Sequence, residues 1–460
     1  MVDQVTITIG EVVGETYDTA ATPDIELSAG TDIAGNFRTA LTAHLFGGTV
    51  DAAPPAIVDA ITRDMDENGK IDRIVVTLSE NVDDNTISGA FDVNNRTVLN
   101  IDTDDDLVKG PPGHPYEGTF GDDDEVVGID IIESSFDTST TPEITVVQGV
   151  LADRAPSANL RTAFTGSHSL IPSDGAPAAI IAAETRDNNK NGEIDQIVVT
   201  MSEGVDEGTI ESLENETYSF SVDSHQVLSE VGVLSPDDEY IGVNIEEIGT
   251  TFGHTAATPK IWLLTGSALR DEALPSNGRL TATNQGFAGT VDKAPAAIIS
   301  ATTDDIGGTV GRIDSITVGF SELVNAATIQ PTTGTVPFNV DTGAYPVTAV
   351  SETTGNFTSV TLTVTEISSG YDTGAKPPIA FSSGTDANGI ARSATQSFGG
   401  TADGALAVLI GATATDVSTT TGIFLDIGDM LELQFSENLG SITGLDANDL
   451  EANLQMGVCT

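Results

Sequence analysis

A unit of roughly 120 residues recurs along this chain of 460 residues, and repetition at a fixed period restricts the fold more than any other sequence feature. The sequence IDRIVVTLSENV, which begins at Ile71, returns as IDQIVVTMSEGV and IDSITVGFSELV, and a fourth copy reads GDMLELQFSENL. Four prolines that follow related turns, Pro23, Pro142, Pro259 and Pro377, lie 119, 117 and 118 residues apart. The chain is therefore predicted to consist of successive copies of one structural unit.

Each unit contains short segments in which apolar and polar residues alternate, such as VTITIGE, VGIDIIE, IGVNIEE and VTLTVTE. Alternation with a period of two is typical of a β-strand with one buried face. Turns rich in glycine, proline, aspartate and threonine separate these segments, and no helical period is evident. The sequence therefore predicts an all-β chain of tandem antiparallel β-sandwich domains.

The unit boundaries are marked by the related sequences TVDAAPP, SDGAPAA, TVDKAPAA and TADGALA. They predict three complete domains, residues 52–174, 175–292 and 293–403, with a degenerate loop in the third. The flanking segments are predicted to be halves of one further domain: residues 1–51 its C-terminal half and residues 404–460 its N-terminal half.

The two half-domains allow two interpretations. Either a longer array of repeats was cut without regard to its boundaries, or the C-terminal half-domain of one copy completes the N-terminal half-domain of the next. An incomplete sandwich exposes unpaired strand edges and an apolar face, which favours strand addition from another chain. Head-to-tail completion does not close, so it would build a filament. Against complete complementation, only 24 residues run from Glu437 to the end, which is short for the middle strands.

The charge of the chain excludes several functions. With 70 acidic and 17 basic residues, the net charge is −53. Such a surface repels nucleic acid and anionic membranes, and it repels itself unless cations bind. No apolar run is long enough to span a bilayer, so membrane insertion is not predicted. A single cysteine, Cys459, excludes an internal disulfide framework and favours metal ions as the stabilising element of an exported chain.

Three loops carry oxygen-bearing side chains at the spacing of a calcium site. The first, DMDENGKID, has Gly69 at the sixth position, where such a loop turns sharply, but Val75 at the twelfth in place of a bidentate glutamate. The second, DNNKNGEID, has fewer carboxylates and is expected to bind calcium more weakly; the third, DDIGGTVGRID, is degenerate. The candidate ligands are Asp64, Asp66, Asn68 and Asp72 in the first loop, Asp187, Asn189, Asn191 and Asp195 in the second, and Asp304 and Asp314 in the third.

Clusters of aspartate, asparagine and glycine also form stable turns without metal, because their side chains bond to nearby backbone. The repetition of the loop in a chain of this charge favours calcium in the first two copies. Glu80, at the end of the strand that follows the first loop, is a candidate to replace the missing glutamate.

A second set of carboxylates recurs at the domain boundaries and in a later turn of each unit. These are Asp51, Asp174, Asp292 and Asp403 at the boundaries, and Asp32, Asp153, Asp271 and Asp386 in the turns. The favoured interpretation is that they are turn and strand-end residues; the alternative is that they clamp calcium between domains. The Ser-Glu pairs are interpreted as packing and turn features.

The runs VTLSENVDDNTI, VTMSEGVDEGTI and VGFSELVNAATI resemble a signature of bacterial Ig-like domains found in S-layer proteins and large surface adhesins. The resemblance covers the three complete units and, less well, the C-terminal half-unit. It implies Ig-like sandwiches in a tandem, extracellular array without catalytic residues. The loops, which resemble those of EF-hands and dockerins, are not part of that signature.

Together these features predict an extracellular structural protein of the cell surface. It would be a calcium-stabilised Ig-like array that assembles head-to-tail with copies of itself, by completion of split domains, into a filament or surface layer. The alternative is a monomeric adhesin stalk segment cut from a longer surface protein, with a carbohydrate or host surface as partner, although no aromatic platform for sugars recurs. An enzyme is not predicted, because no histidine recurs between the units.

Overall fold

The computed structural model describes most of the chain, and its contacts group the residues into two compact units. The described residues are 4–10, 19–27, 29–38, 44–102, 125–154, 158–160, 169–210, 218–233, 238–248, 255–273, 276–278, 284–331, 337–417 and 429–440. The first unit holds residues 1–183, 198–244 and 260–289, and the second holds residues 184–197, 245–259 and 290–460. This division into two units does not test the predicted domain boundaries, which stay predictions.

Short β-strands make up the regular structure of the N-terminal segment and the first repeat. The N-terminal strands are β1 (Ile25–Leu27), β2 (Gly30–Thr31), β3 (Phe37–Arg38) and β4 (His44–Phe46). The first repeat contains β5 (Ile57–Arg63), β6 (Arg73–Leu78), β7 (Phe91–Val93), β8 (Val98–Asp102), β9 (Val126–Ile131), β10 (Ile144–Val146) and β11 (Ser169–Leu170).

The same succession of strands follows in the rest of the chain. The second repeat contains β12 (Ile180–Arg186), β13 (Gln196–Met201), β14 (Phe220–Val222), β15 (Val227–Gly232), β16 (Tyr240–Ile245), β17 (Ile261–Leu263) and β18 (Gln285–Phe287). The third repeat contains β19 (Ile298–Asp304), β20 (Ser315–Asn325), β21 (Phe338–Val340), β22 (Val347–Val350), β23 (Asn356–Val364), β24 (Ile379–Phe381), β25 (Gln396–Phe398) and β26 (Thr401–Ala402). The C-terminal segment contains β27 (Leu409–Thr415) and β28 (Met430–Phe435).

Helical structure in the described residues is limited to single 3-10 turns, and no helix there has the length and apolar character of a membrane span. These turns are Asp84–Thr86, Glu207–Thr209, Ala326–Thr328 and Asp341–Gly343.

Each complete repeat forms two antiparallel sheets with one common strand order. The larger sheets have the orders β5-β6-β9-β8, β12-β13-β16-β15 and β22-β23-β20-β19-β26, and the smaller ones β7-β10-β11, β14-β17-β18 and β21-β24-β25. With the seven strands of a repeat lettered A to G, the orders are A-B-E-D and C-F-G, as in a constant-type immunoglobulin sandwich. In the third repeat β26 adds a parallel edge strand beside β19. The prediction of an all-β chain with antiparallel sandwich sheets is confirmed.

The core of each repeat follows from the alternation seen in the sequence. In β6 the side chains of Ile74, Val76 and Leu78 are buried, and they share one apolar cluster with residues of the smaller sheet such as Ile144. In the third repeat Phe320 of the larger sheet lies 6.4 and 5.5 Å, between ring centroids, from two phenylalanines of the smaller sheet. The two sheets of each of these repeats therefore enclose one hydrophobic layer.

The terminal segments form two-stranded sheets: β1-β4 and the short β2-β3 in the N-terminal segment, and β27-β28 in the C-terminal segment. The sheets β1-β4 and β27-β28 correspond to strand pairs of the repeats. In the N-terminal segment β1 pairs with β4, as strand F pairs with strand G in the repeats. In the C-terminal segment β27 pairs with β28, as strand A pairs with strand B. Both sheets carry exposed apolar side chains, among them Ile25 and Leu27 in β1 and Leu409 and Met430 in β27 and β28.

Replacing Phe320 with alanine is expected to destabilise the third repeat by roughly 3–5 kcal/mol, the usual cost of removing a buried phenylalanine. Phe320 is fully buried against Phe338 and Phe381. Hydrogen exchange followed by mass spectrometry should show faster exchange in β20 and β23. The control variant Phe37→Ala changes an exposed side chain and should leave that exchange unchanged. Wild-type exchange in the Phe320 variant would contradict the central role of this cluster.

Candidate metal sites

The first predicted loop joins β5 to β6 and gathers its carboxylates around its own backbone. Asp64 Oδ2 accepts a hydrogen bond from the backbone amide of Gly69 at 2.7 Å, and Asp72 Oδ1 accepts one from Met65 at 2.9 Å. Oxygens of Asp64, Asp66 and Asp72 all lie within 4.8 Å of one another. Two ligands of one calcium ion, each about 2.4 Å from it, are at most about 4.8 Å apart. The spacing of these oxygens therefore fits a single ion.

Asn68, the fourth predicted ligand of this loop, lies beside the carboxylates. Its Nδ2 donates to Asp66 Oδ2 and to Glu133 Oε1, both at 3.0 Å. Its Oδ1 is buried and accepts no hydrogen bond from any described group. An unpaired amide oxygen next to three carboxylates is of the type that calcium takes as a ligand.

Burial perturbs the acidity of this loop. It raises the pKa of Asp64, and the negative charges of Asp72 and Asp66 add to the rise, whereas hydrogen bonds from the backbone of Gly69 and Asn68 oppose it. Burial also raises the pKa of Asp72 to about 6. The ionised loop is therefore unfavourable by itself, and a bound cation would relieve that cost.

The second loop, between β12 and β13, repeats these contacts. Asp187 Oδ2 accepts from the backbone amide of Gly192 at 3.0 Å, and Asp187 Oδ1 accepts from Asn191 at 3.1 Å. Asp195 Oδ2 accepts from the backbone amide of Asn189 at 3.1 Å. Burial raises the pKa of Asp187, and the nearby charge of Asp195 contributes to that rise. All four predicted ligands of the second loop therefore belong to one connected cluster.

A glutamate that the sequence did not single out lies over each of these loops. Glu133, just after β9, accepts from the side-chain amide of Asn68 and pairs with Lys70 at 3.1 Å. Glu247, just after β16, accepts from the side-chain amides of Asn189 and Asn191, the latter at 2.7 Å. Both glutamates follow strand E of their repeat. Their recurrence after that strand is the sequence feature that could have identified them as loop residues.

The third loop has a different arrangement. Asp305 Oδ2 and Glu366 Oε1 each accept a backbone amide of the loop at 2.6 Å. Asp314 Oδ1 accepts from Ile306 at 3.1 Å, and Asp304 Oδ1 accepts from Asp305 at 2.9 Å. Among the residues that the structure describes, Asp304 and Asp314 belong to no cluster of three close carboxylates.

The first two loops pack tightly against the repeat that follows each of them. Gly69 has φ of +89°, and a Cβ there would lie 2.5 Å from Ile181 Cγ2 and 3.2 Å from Ser202 Cβ. Gly192 has φ of +96°, and its Cβ would meet the equivalent isoleucine and serine of the third repeat at 2.5 and 3.1 Å. Both the backbone conformation and the close approach require glycine.

A glutamine of strand G holds each loop in place. Gln285 Nε2 donates to the carbonyl oxygen of Glu67, and Gln396 Nε2 donates to that of Lys190, both at 2.8 Å. The Oε1 atoms of the same glutamines accept from the first residues of β12 and β19. Each loop therefore contacts the following repeat through a fixed polar bridge as well as through its glycine.

The Ser-Glu pair at the end of strand B meets a threonine from the preceding segment of the chain. The four hydroxyl pairs are Thr19–Ser79 at 2.6 Å, Thr138–Ser202 at 2.6 Å, Thr255–Ser321 at 2.7 Å and Thr373–Ser436 at 2.6 Å. Thr19 and Thr138 also donate to the adjacent glutamates, Glu80 and Glu203. The Ser-Glu pair thus forms part of the contact between neighbouring repeats.

The boundary and turn aspartates come together with these glutamates in three clusters, whose oxygens lie within 4.8 Å of one another. The first triad is Asp51, Glu80 and Asp153, the second is Asp174, Glu203 and Asp271, and the third is Asp292, Glu322 and Asp386. Glu80 therefore does not complete the first loop, because it lies at the opposite end of β6. The interpretation of the aspartates as turn and strand-end residues is incomplete, because in each triad they also lie beside a glutamate. Their constant offset, with each glutamate 29 or 30 residues after the boundary aspartate, was the sequence signal.

Replacing Gly69 with alanine is expected to weaken the contact between the first and second repeats, because the new Cβ would overlap Ile181. Gly89→Ala is the matched control: Gly89 has φ of +76°, but nothing lies within 4 Å of the added carbon. Both variants carry a backbone strain of about 1 kcal/mol. Only Gly69→Ala should increase hydrogen exchange in β12 and lower the melting temperature clearly further. Equal melting temperatures would contradict the importance of this contact.

No protein-family model and no curated protein matches the chain. Two solved structures are similar to it over 79% of its length: the surface layer protein SbsC, domains 1–6, at 9% identity and a TM-score of 0.17, and the S-layer protein rSbsC at 8% identity and a TM-score of 0.18. The chain covers 56% of each of those chains, about half of their length. At these values the similarity carries no information on ligand, assembly or location.

Proposed function

We propose that this chain is a structural repeat protein in which calcium ions in the loops stiffen the contacts between successive sandwiches. The observation that carries the proposal is the double role of the first two loops. Each is a cluster of oxygen ligands of the type that calcium prefers, and each is packed against the following repeat through Gly69 or Gly192. An ion that fixes the loop therefore also fixes the contact between repeats.

The net charge makes this role physically useful. A chain with a charge of −53 repels itself in the folded state, and divalent cations reduce that repulsion. Because the ligands gather only in the folded loop, calcium binding stabilises the native state by mass action. The order of the array would then follow the calcium concentration of its surroundings, as suits an extracellular protein of the cell surface. This proposal includes no catalytic role.

The terminal sheets support assembly with further copies of the chain. The sheet of β27 and β28 supplies strands A and B, and the sheet of β1 and β4 supplies strands F and G. Both present exposed apolar side chains, including Leu409 and Leu27. Apposition of the two sheets from different copies would bury these side chains and extend the array head-to-tail into a filament or surface layer.

We expect the melting temperature of the chain to be higher in millimolar calcium than in EGTA, because calcium relieves the crowding of the loop carboxylates. The double variant Asp64→Asn/Asp187→Asn should bind two fewer calcium ions, as measured by calorimetric titration, and should show a smaller calcium-dependent shift. The double variant Asp59→Asn/Asp92→Asn removes the same charge at exposed positions and should behave as the wild type. Unchanged stoichiometry in the loop variant would overturn the proposed loop sites.

Analytical ultracentrifugation should detect calcium-dependent polymers of the full chain. The variant Leu409→Asp places a charge on the exposed apolar side of β27 and should leave only monomers, whereas Val417→Asp, at an exposed position outside the strand, should polymerise normally. A wild-type monomer in calcium as well as in EGTA would rule out head-to-tail completion. It would favour the alternative of a monomeric stalk segment.

A further inference from the structure

We propose that the second and third triads each bind one calcium ion, so that the chain carries a second class of calcium site beside the loops. This extends the proposed function and rests on the calcium dependence assumed there, but the residues are different. Neither triad contains a residue of the predicted loops, and each triad assembles from three distant parts of the chain.

The burial of the triads points to a missing partner. Asp271, Asp386 and Glu322 are only 1%, 2% and 4% exposed. Asp271 Oδ2, Asp386 Oδ2 and Glu322 Oε1 are nevertheless without a hydrogen-bond donor in the described part of the chain. A buried anionic oxygen without a partner is strongly unfavourable. A coordinated cation would supply the missing interaction.

The turn aspartates are oriented in advance for such a role. Asp271 Oδ1 accepts backbone hydrogen bonds from Asn277 at 2.6 Å and Ala273 at 3.1 Å. Asp386 Oδ1 accepts one from Ile390 at 2.8 Å. In both residues the backbone thus fixes one carboxylate oxygen and leaves the other unpaired. A ligand held in this way loses little conformational freedom when an ion binds.

Positive side chains do not balance the triads. The positive charge of Arg270 opposes the rise in the pKa of Asp271 that burial causes. Its Nη1, however, donates to the carbonyl oxygens of Ser267 and Leu269. The charge of Arg392 likewise opposes the rise in the pKa of Glu322 that burial causes. Its guanidinium group, however, donates to the carbonyl oxygen of Ala296. In the third triad the charge of Lys293 opposes the rise in the pKa of Asp292 that burial causes. Among the described residues no arginine forms an ion pair with these carboxylates, of which Asp174 is half-buried and the other five are buried.

The acidity of the glutamates agrees with this imbalance. Burial raises the pKa of Glu322 to about 8, and the charges of Asp292 and Asp386 add to the rise. Burial, together with the charge of Asp174, also raises the pKa of Glu203. Each glutamate could thus be neutralised by a proton instead of by a metal ion. The experiment must distinguish these two alternatives.

The ligand set favours a hard cation such as calcium over zinc and copper. All the ligands are carboxylate oxygens, without the nitrogen or sulfur that zinc and copper sites contain. Their oxygens lie within 4.8 Å of one another, a spacing that fits a calcium ion at about 2.4 Å from each. Water and backbone carbonyl groups would complete the six to eight oxygens that calcium takes.

The position of the triads gives such an ion a mechanical role. Asp174 lies in the linker between β11 and β12, Glu203 follows strand B of the second repeat, and Thr138 of the first repeat donates to Glu203. In the third triad a hydrogen bond from Thr255, in the second repeat, reaches Glu322. One ion would therefore join the linker to the following repeat, at a carboxylate that already contacts the preceding one.

The test counts calcium ions in the full chain after the loop ligands have been removed. In the Asp64→Asn/Asp187→Asn background, equilibrium dialysis with calcium should still find at least two bound ions per chain. Adding Glu203→Gln should remove one ion, and adding Glu322→Gln should remove another. Glutamine keeps the size of the side chain and an acceptor for the threonine, so the contact between repeats is retained while the ligand charge is lost.

Glu230→Gln is the matched control. Glu230 is 6% exposed, its Oε1 accepts from the backbone amide of Phe220 at 2.8 Å, and burial raises its pKa. It belongs to no carboxylate cluster among the described residues. Its substitution should leave the number of bound ions unchanged and so excludes a general effect of removing a buried charge.

The outcomes separate the two proposals. If the wild type binds calcium but loses no ions through Glu203→Gln and Glu322→Gln, the triads hold protons and the inference is wrong, while the loop sites stand. If the loop variant loses no ions and the triad variants do, the loop sites fail and the triads stand. If the triad variants lose their fold, as judged by circular dichroism, Asp271→Asn tests the second triad in the same way.

Discussion

Like charges buried at the contacts between repeats impose the condition that the rest of the structure has to meet. In the three complete repeats the glutamate of the Ser-Glu pair has an oxygen within 4.8 Å of two aspartates of its triad, and the first two loops bring further aspartates to contacts between repeats. An aqueous surface could hold these groups at little cost, but burial removes that solvation. Three features are consequences of this single condition: backbone amides donate hydrogen bonds to the carboxylates, some carboxylate oxygens stay unpaired, and the pKa values of the buried acids are raised.

The geometry of the contacts explains why the same few residues return in each repeat. Gly69 and Gly192 allow the loop to approach a neighbouring strand, Gln285 and Gln396 bridge that strand to the loop backbone, and a threonine reaches the Ser-Glu pair. Each of these residues serves the contact with the following or preceding repeat, and the two glutamines also bond to the first strand of their own repeat. In repeat proteins, contacts of this kind between successive repeats distribute stability along the chain.

Sequence reasoning succeeded where the information is local. The alternation in IVVTL predicts strand β6 because the period of two places Ile74 and Val76 on one face, and the loop spacing predicts Asp64 and Asp72 as neighbours because they are close in the chain. It singled out the aspartates of the triads, but it missed Glu133 and the grouping of those aspartates with the Ser-Glu glutamates, because only the strand order brings these residues together. Glu80 illustrates why closeness in sequence is not sufficient. It is near the first loop in the chain, but β6 lies between them and places Glu80 at the other end of the sheet.

The two classes of site differ in burial, and that difference bears on how the array would respond to calcium. The first loop combines the buried Asp64 with the exposed Asp66, whereas the turn aspartates of the second and third triads are almost wholly buried. A buried ligand set holds its ion in a medium of lower polarity, where the attraction between opposite charges is stronger. It also requires the surrounding contact to open before the ion leaves. We therefore expect the triads to bind calcium more tightly than the loops do. As the calcium concentration falls, the loops would lose their ions first, and the triads would still link the repeats.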